Sequence, residues 1–328
     1  MERKYRILSV EDAVVREAWQ RLWEKSPQRS PFSTLAFAEA VSRHFGLDLS
    51  LIGVSSECRE RVLEAGALLF HRKRGPYRET VVPPFTPYSA VLLDDTTDGA
   101  AVHDRQSPFE VLLSGIESQF GRIVLHLFPS VTDVRPASWR SWRVRPLFSY
   151  TIPLDPEETL IARWSESARR TFKKGREAFI ISEETDLSET IVGLSAQSYE
   201  RHRRGYPAEI EAIRRVMDEL CEQQLVRLFV ARSKSEGEPK AGLAVLHDGK
   251  TGYYWIAGSL PGDAMTVLLG CVLPRLRGDG LERFDFVDAN TPSIAEFKRR
   301  LGAELVPYYR AEKETRPELR LLYRLFRP

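Results

Sequence analysis

The chain has little cysteine, almost no net charge and no long apolar run, and each shortage excludes a class of protein. Its 328 residues include three cysteines, Cys58, Cys221 and Cys271, far apart and without a CxxC pair. This spacing argues against a disulfide framework or a zinc site and favours a reducing cytoplasm. The first residues are charged and lack an apolar signal core. We therefore expect a cytoplasmic protein with no membrane span, for which peripheral membrane contact stays open.

Charge and motif content limit the chemistry further. The 48 basic and 46 acidic residues give a net charge of +2, so any electrostatic recognition of a partner must be local. No G-x-S-x-G motif occurs, and the cysteines have no histidine pattern beside them, so we expect no covalent nucleophile. We also expect no metal and no tightly bound cofactor.

The order of the predicted elements indicates two domains of one kind. The length suits two domains of about 150 residues, and 42% hydrophobic residues suffice for their cores. Helices, three consecutive strands, then a helix and a strand occur twice. Consecutive strands between residues 226 and 258 favour a mixed sheet over a doubly wound one. We predict an α+β (mixed α/β) fold with domains at 1–145 and 146–313, each a mostly antiparallel mixed sheet flanked by helices.

Two basic segments lie in the second half. Residues 157–179 predict one long helix, with Leu160, Trp164, Ala168 and Phe172 recurring every four residues. Its opposite face carries the candidate donor-phosphate ligands Arg170, Lys173, Lys174 and Arg176. The segment 199–206 adds three arginines and a histidine. Such clusters suit the phosphates of coenzyme A, of a tRNA acceptor end or of a nucleotide-linked acceptor, although a solvated helix face is the plainer interpretation.

The segment Glu282–Gly302 predicts a strand, a loop and a helix. The apolar residues at 284–287 indicate the strand. Thr291 or Ser293 can cap the helix, and Gly302 stands where a glycine ends it. Polar residues at the carboxyl end of a strand, with a lysine on the next helix, form a common site geometry in α/β proteins.

Four polar side chains of this segment are candidates for the site. Asp285 alternates with the phenylalanines beside it, so it is either buried and paired or lines a cleft. Asp288 and Asn290 follow in the loop as substrate-binding candidates, with turn capping as the alternative. Lys298 could neutralise charge on an acyl oxygen or on a leaving ribose or phosphate oxygen. The plainer interpretation makes it one of several surface cations.

The predicted strand at residues 251–258 could form a second side of the site. Strict alternation puts Tyr253 and Trp255 on one face and Tyr254 and Ile256 on the other. One face should be core, and the other could line an acceptor channel in which a tyrosine hydroxyl orients an amine. Alternation does not decide which face lines the channel, so we take one residue from each face, Tyr254 and Trp255, as candidate site residues.

Asp285-Phe286, Asn290, Phe297-Lys298 and Gly302, at this spacing, resemble the C-terminal signature of the Fem-type peptidoglycan-bridge aminoacyl transferases. Those enzymes are double-GNAT acyltransferases, and the order of elements is similar in both halves. The resemblance implies an acyl-transfer centre at Phe297-Lys298. It also implies that a C-terminal strand within 314–328 completes the first domain.

Further roles come from the same resemblance. It implies a functional tyrosine near Tyr254, and acceptor contacts from Arg204 and Tyr206. The implied donor is aminoacyl-tRNA, and the implied acceptor is an amine on a small molecule or peptide, in cell-envelope or conjugate synthesis. The sequence does not indicate an oligomeric state.

The sequence departs from both GNAT and Fem-type patterns in several loops. Residues 258–264 lack the Q/R-x-x-G-x-G/A loop that holds the pyrophosphate of acetyl-CoA. Residues 82–88 and 32–41 lack the arginine, aspartate and lysine with which Fem-type enzymes grip a uridine-diphosphate-linked peptide, so that acceptor is in doubt. Acyl-CoA or a carrier-protein thioester remains an alternative donor. A non-catalytic protein that binds a peptide or glycan remains the alternative function.

Overall fold

The structure is a computed structural model and describes residues 3–56, 62–94, 107–316 and 318. The chain forms two compact units, of which the first combines Met1–Leu147 with Pro307–Pro328. The second is Phe148–Val306. Most of the predicted strand at 314–328 lies outside the described residues.

The first unit is a mixed sheet with helices. Its helices are α1 (Ala13–Lys25), α2 (Leu35–Phe45), α3 (Pro108–Gln119) and α4 (Arg135–Trp139), with a 3₁₀ turn at Pro31–Ser33. Its strands are β1 (Arg3–Leu8), β2 (Asp48–Ser56), β3 (Ala65–Arg74), β4 (Tyr77–Thr80), β5 (Ala90–Leu93) and β6 (Arg122–Leu127). The strand order is β1-β2-β3-β4-β6, with β5 paired to β3 and the chain's last described strand paired to β6.

The second unit has the same kind of sheet. Its strands are β7 (Arg143–Pro153, entering from the first unit), β8 (Phe179–Glu183), β9 (Val226–Ser233), β10 (Pro239–His247), β11 (Thr251–Ser259) and β12 (Arg283–Asp285), before β13 (Glu304–Glu314). Its helices are α5 (Glu157–Ala162), α6 (Glu166–Gly175), α7 (Ser188–Arg201), α8 (Ile210–Glu222), α9 (Ala264–Gly278) and α10 (Pro292–Arg300).

The sheet of the second unit runs β7-β12-β11-β10-β9-β8. The pair β11–β12 is parallel, and its neighbours in this order are antiparallel. Helices α5, α6 and α9 supply the apolar cluster on one face, and α7 and α8 pack on the other. The prediction of a mostly antiparallel mixed sheet flanked by helices is confirmed.

Two elements differ from the sequence prediction. The single helix at 157–179 is wrong, because the chain breaks between α5 and α6 and starts β8 at Phe179. At the break Ser165 N–H donates to Arg300 O at 2.8 Å, and Ser165 Oγ caps α6 by accepting from Ala168 N at 3.3 Å. The four-residue apolar spacing did not reveal the break, because its members stay buried on both sides of it. The strand predicted through residue 287 ends at Asp285.

Helix α7 touches the sheet through two glycines. Gly242 of β10 and Gly258 of β11 are cross-strand partners. A Cβ on Gly258 would lie 2.2 Å from both Leu194 C and Ser195 N, which no side chain can tolerate. Because these two glycines have no side chain, the backbone of α7 can lie in direct contact with β10 and β11.

Candidate functional site

Lys298 is the most deeply buried cation of the candidate segment. Its side chain lies on α10 and is only 3% exposed. Nζ donates to Val287 O at 3.0 Å and to Asp288 O. Its neighbours Arg299 and Arg300 are exposed and pair with Glu296. The interpretation of Lys298 as a surface cation is therefore wrong, since this helix position faces the loop that precedes it.

The loop held by Lys298 is strained. Val287 has φ 50°, a left-handed conformation that a β-branched residue adopts only as an outlier. Such a residue costs on the order of 1–3 kcal/mol and persists where its surroundings hold it. Here the carbonyl is held by Lys298, and Val287 N donates to Asp285 Oδ1 at 2.7 Å.

Asp285 is buried and paired, which is one of the two alternatives that alternation left open. It is 4% exposed, and its Oδ1 accepts from Ser149 Oγ as well as from Val287 N. Ser149 belongs to β7, a neighbour of β12 in the sheet. Nothing in the sequence marked Ser149, because 136 positions separate it from Asp285.

Asn290 connects the end of the loop between β12 and α10 to β7 by hydrogen bonds. Its Oδ1 accepts from Phe148 N at 2.9 Å, and Ala289 N donates to Phe148 O at 2.8 Å. Its own N and Nδ2 donate to Asp288 Oδ1 at 3.1 and 2.6 Å. The structure thus gives Asn290 a structural task, whereas the Asp288 side chain is exposed.

Burial dominates the electrostatics of Lys298 and Tyr254. Desolvation lowers the pKa of Lys298 to about 8, although Asp288 and Asp285 act to raise it. The ammonium lies 5.6 Å from the centre of the Tyr254 ring. Burial also raises the pKa of Tyr254, so its phenol is protonated at neutral pH. Phe297 is half-buried against the apolar cluster that includes Tyr254.

A bulge changes the faces of β11. The register with β10 shifts between Ala244 and Val245, which pair with Ile256 and Tyr254, so Trp255 is the extra residue on β11 there. As a result Tyr254 and Ala257 pack against the same cluster. The prediction that Tyr254 and Ile256 share a face is wrong, because a bulge interrupts strict alternation. Trp255 is 5% exposed, a core position.

The parallel pair β11–β12 separates at the site. Pairing ends at Tyr253 with Asp285, whereas β11 continues to Ser259. The edge of β11 that faces away from β10 therefore has no strand partner from β12 beyond Tyr253. Its backbone groups must be satisfied by something other than that ladder. The two strands separate beside Tyr254, whose ring lies near the Lys298 ammonium.

The end of α7 brings an aromatic pair to the loop. The rings of Tyr199 and Tyr206 meet edge to face, 5.2 Å apart. Burial raises the pKa of Tyr199, Asp288 raises it further, and Arg204 lowers it. Burial raises the pKa of Tyr206 to about 12. The predicted acceptor residues Arg204 and Tyr206 are therefore grouped with Asp288 through Tyr199, which the sequence did not single out.

The basic helix α6 differs from this site. Arg170 pairs with Glu166, and Arg176 pairs with Glu157 at 2.9 Å. Lys173 and Lys174 are exposed. The end of α6 lies near the start of α9, because a Cβ on Gly175 would be 3.9 Å from Asp263 Cβ. The two ion pairs neutralise part of the positive charge, which favours the interpretation of α6 as a solvated face. The nearby N-terminus of α9 favours the interpretation as an anion site.

The described part of the chain offers neither a cluster of metal ligands nor a membrane-spanning helix. It contains no cluster of three or more histidine, cysteine, aspartate or glutamate side chains able to hold a metal ion. Within the same residues, no helix is long and apolar enough to cross a membrane.

Comparison with known proteins identifies the second unit. Residues 162–299 match the family model described as an acetyltransferase (GNAT) domain. The second unit is a GNAT acyltransferase domain. No curated protein matches the chain.

Solved structures extend the likeness to the full chain. FemX superposes with a TM-score of 0.73 at 12% identity, covering 99% of this chain and 100% of its own. A tandem GNAT protein from the clavulanic acid biosynthesis pathway has a TM-score of 0.57 at 13% identity, covering 96% and 99%. The C-terminal domain of a putative lysylphosphatidylglycerol synthetase from Agrobacterium fabrum has 0.54 at 13%, covering 94% of each chain. At these identities the likeness shows the fold, and it confirms the predicted Fem-type, double-GNAT architecture.

Proposed function

We propose that this GNAT protein transfers an aminoacyl or acyl group from an activated donor to the amine of a small molecule or peptide. The observation that carries the proposal is the buried Lys298 ammonium beside the point where β11 and β12 separate. A cation kept inside a protein at a cost in desolvation, next to the point where two strands separate, is a common mark of a functional site.

The geometry suits acyl transfer without a covalent enzyme intermediate. The extended part of a donor can lie along β11 beyond Tyr253, where β12 no longer pairs with it. An ammonium has three donors, of which two bind Val287 O and Asp288 O. The third can stabilise negative charge on the acyl oxygen or on the leaving group, which is the largest catalytic contribution such a site offers.

Aminoacyl-tRNA is our preferred donor. Whole-chain similarity of fold to FemX supports it, as does the similarity to the putative lysylphosphatidylglycerol synthetase domain. Acyl-CoA or a carrier-protein thioester is the second choice. It is supported by Lys173 and Lys174 near the N-terminus of α9, where phosphates bind readily.

Donor binding tests the proposal. We would titrate the purified protein by calorimetry with acetyl-CoA, a longer acyl-CoA, charged tRNA and uncharged tRNA, each at two salt concentrations. Preference for charged tRNA with steep salt dependence supports the aminoacyl donor. Saturable CoA binding that weakens in a Lys173→Glu/Lys174→Glu/Arg176→Glu variant would replace it with acyl-CoA.

A protein that binds none of the four ligands would also test our choice of donor. If none of these donors binds, our choice of donor is wrong. Acyl-carrier protein and non-transferring peptide or glycan binding would then be tested in its place.

A further inference from the structure

We infer that Asp288 is the residue that receives the acceptor amine and takes up its proton. The inference rests on the proposed function, and it assigns to one side chain the work on the acceptor side of the reaction. It follows from how the loop between β12 and α10 is built, because the contacts of that loop position Asp288 and leave its carboxylate exposed.

The backbone on both sides of Asp288 is fixed from the protein interior. Before it, Val287 is held in its left-handed conformation by Asp285 on the amide and by Lys298 on the carbonyl. The Asp288 carbonyl also accepts from Lys298. After it, Ala289 N donates to Phe148 O.

The carboxylate itself is oriented as well. Oδ1 accepts from Asn290 N at 3.1 Å and Asn290 Nδ2 at 2.6 Å, and Asn290 is anchored on Phe148 N. Within the described residues, Oδ2 receives no hydrogen bond. An exposed aspartate needs no such support to be stable in water. Rigid support of one charged group is what a binding or catalytic site requires.

Asp288 is also the exposed ionisable residue of its loop. Asp285, Phe286, Val287 and Ala289 are all buried, and Lys298 beneath them is buried too. Asn290 is exposed, but its amide is used in the contacts to β7 and Asp288. Asp288 is therefore the ionisable group that this loop offers to an incoming molecule.

The surroundings suit an acceptor that arrives as an ammonium ion. Asp288 acts electrostatically on Tyr199, and so does Arg204 with the opposite sign. An ammonium can pair with Asp288 while its carbon chain lies on the Tyr199–Tyr206 aromatic pair. Lys298 faces the same loop from its buried side, where Asp288 acts to raise its pKa.

The chemical step balances without a further reactant. The acceptor ammonium gives one proton to solvent to become a neutral amine. Its nitrogen then forms a bond to the acyl carbon, and the carbon–oxygen or carbon–sulfur bond of the donor breaks. The second proton passes from nitrogen to Asp288 and on to the leaving oxygen or sulfur. Products are an amide and the free hydroxyl or thiol of the donor.

The decisive variant is Asp288→Asn. It removes the charge and the proton acceptor, and it keeps an oxygen that can accept from Asn290. The matched control is Glu282→Gln, which neutralises an exposed carboxylate just before β12. Melting temperatures of both variants, measured beside wild type, show whether the fold survives.

Two measurements separate this inference from the proposed function. In the first, butylamine (protonated at pH 7) and butanol are titrated while amide NMR signals of the loop are followed. We expect butylammonium, and not butanol, to shift the signals of residues 286–290 in wild type and in Glu282→Gln. The shift should disappear in Asp288→Asn. An equal shift in Asp288→Asn overturns the inference.

The second measurement is transfer itself, with charged tRNA and acyl-CoA as donors and mixed amino acids and hydroxylamine as acceptors. Asp288→Asn should lower turnover at saturating acceptor by about 100-fold, the usual effect of losing a general base, with Glu282→Gln unchanged. Turnover within about threefold of wild type would overturn the inference. If wild type transfers nothing from either donor, the proposed function fails, and the NMR titration still decides the role of Asp288.

Discussion

Two helices of the second unit, α6 and α10, carry basic residues that look equivalent in the sequence. The cations of α6 and Lys298 of α10 nevertheless differ in burial and in the groups that they bind. Those of α6 are exposed, and Arg170 and Arg176 have carboxylate partners at the surface. Lys298 on α10 is buried, bound to two backbone carbonyls and close to a strained residue. Exposed pairs of the first kind contribute about 0–1 kcal/mol each.

The difference shows where charge can carry function. Water screens the α6 cations, so they can attract an anion over a distance but cannot hold it precisely. Lys298 is not screened, and a pKa near 8 in place of 10.5 means that its ammonium is less stable in the folded chain than in the unfolded chain by a net amount of about 3 kcal/mol. A buried charge kept at such a cost is a frequent mark of a functional site.

The largest effect on stability should come from separating α7 from the sheet of the second unit. Gly258→Ala would drive a methyl group into the backbone of Leu194 and Ser195. We expect a loss of about 4 kcal/mol or more in the free energy of unfolding. Gly193→Ala on the same helix meets no atom within 4 Å, and should gain about 0.5–1 kcal/mol. Urea denaturation of both variants measures the contrast, and similar stabilities would contradict it.

Removing the buried charge should affect activity more than stability. Lys298→Met removes this net cost of about 3 kcal/mol, but leaves two carbonyls unbonded at about 1–3 kcal/mol each. Because these contributions oppose each other, we expect a stability change below about 3 kcal/mol and a 100- to 1,000-fold drop in transfer rate. Urea denaturation and single-turnover kinetics test both. A variant that unfolds while the surviving fraction keeps full activity would make Lys298 purely structural.

Alkaline pH should move stability and activity in opposite directions. The pKa of Lys298 is lowered to about 8 from 10.5 in the folded state, so between these values the unfolded chain binds more protons. The free energy of unfolding should therefore rise with pH across this window, by up to about 3 kcal/mol from this group. Transfer should decline above pH 8 as the ammonium is lost.

Other lysines and tyrosines titrate in the same range, so the stability test is the difference between wild type and Lys298→Met. That difference should change with pH from 8 to 10.5. A constant difference would mean that Lys298 keeps an ordinary pKa in the folded protein.

The smallest effect should come from the exposed cations of α6. Lys173→Glu/Lys174→Glu should change the free energy of unfolding by about 1 kcal/mol or less, because the reversed charges face only solvent and the C-terminal end of α6. Donor affinity should fall about tenfold at low salt, and the loss should shrink as salt screens the charges. Lys250→Glu, in an exposed turn, is the matched control. A loss of affinity that ignores salt would mean a buried contact instead.

Local signals in the sequence were sufficient for much of the fold. Alternation and turn residues predicted consecutive strands between residues 226 and 258, where the structure has β9, β10 and β11. Gly302 has φ 71°, as expected of the glycine that follows a helix. Spacing also selected Asp285, Asp288 and Lys298 within one segment, and the structure brings these three around one loop.

What the sequence missed depends on contacts between distant residues. Ser149 supports Asp285 from another strand, and Arg300 accepts the hydrogen bond that helps to break the predicted helix at Ser165. The bulge at Trp255 is set by the neighbouring strand. Propensity also argued against a left-handed valine, and tertiary contacts override it at Val287. The burial that distinguishes Lys298 from Arg299 is equally invisible in a run of three basic residues.

The first unit is assembled from both ends of the chain, and this has a consequence for its synthesis. Strand β6 pairs with Tyr309–Glu314 of β13, which the ribosome makes only after the whole of Phe148–Val306. At about 5–20 residues per second, one edge of β6 waits roughly ten seconds or more for that partner. During translation the GNAT domain can finish first, while the earlier half of the polypeptide still offers an open strand to chaperones.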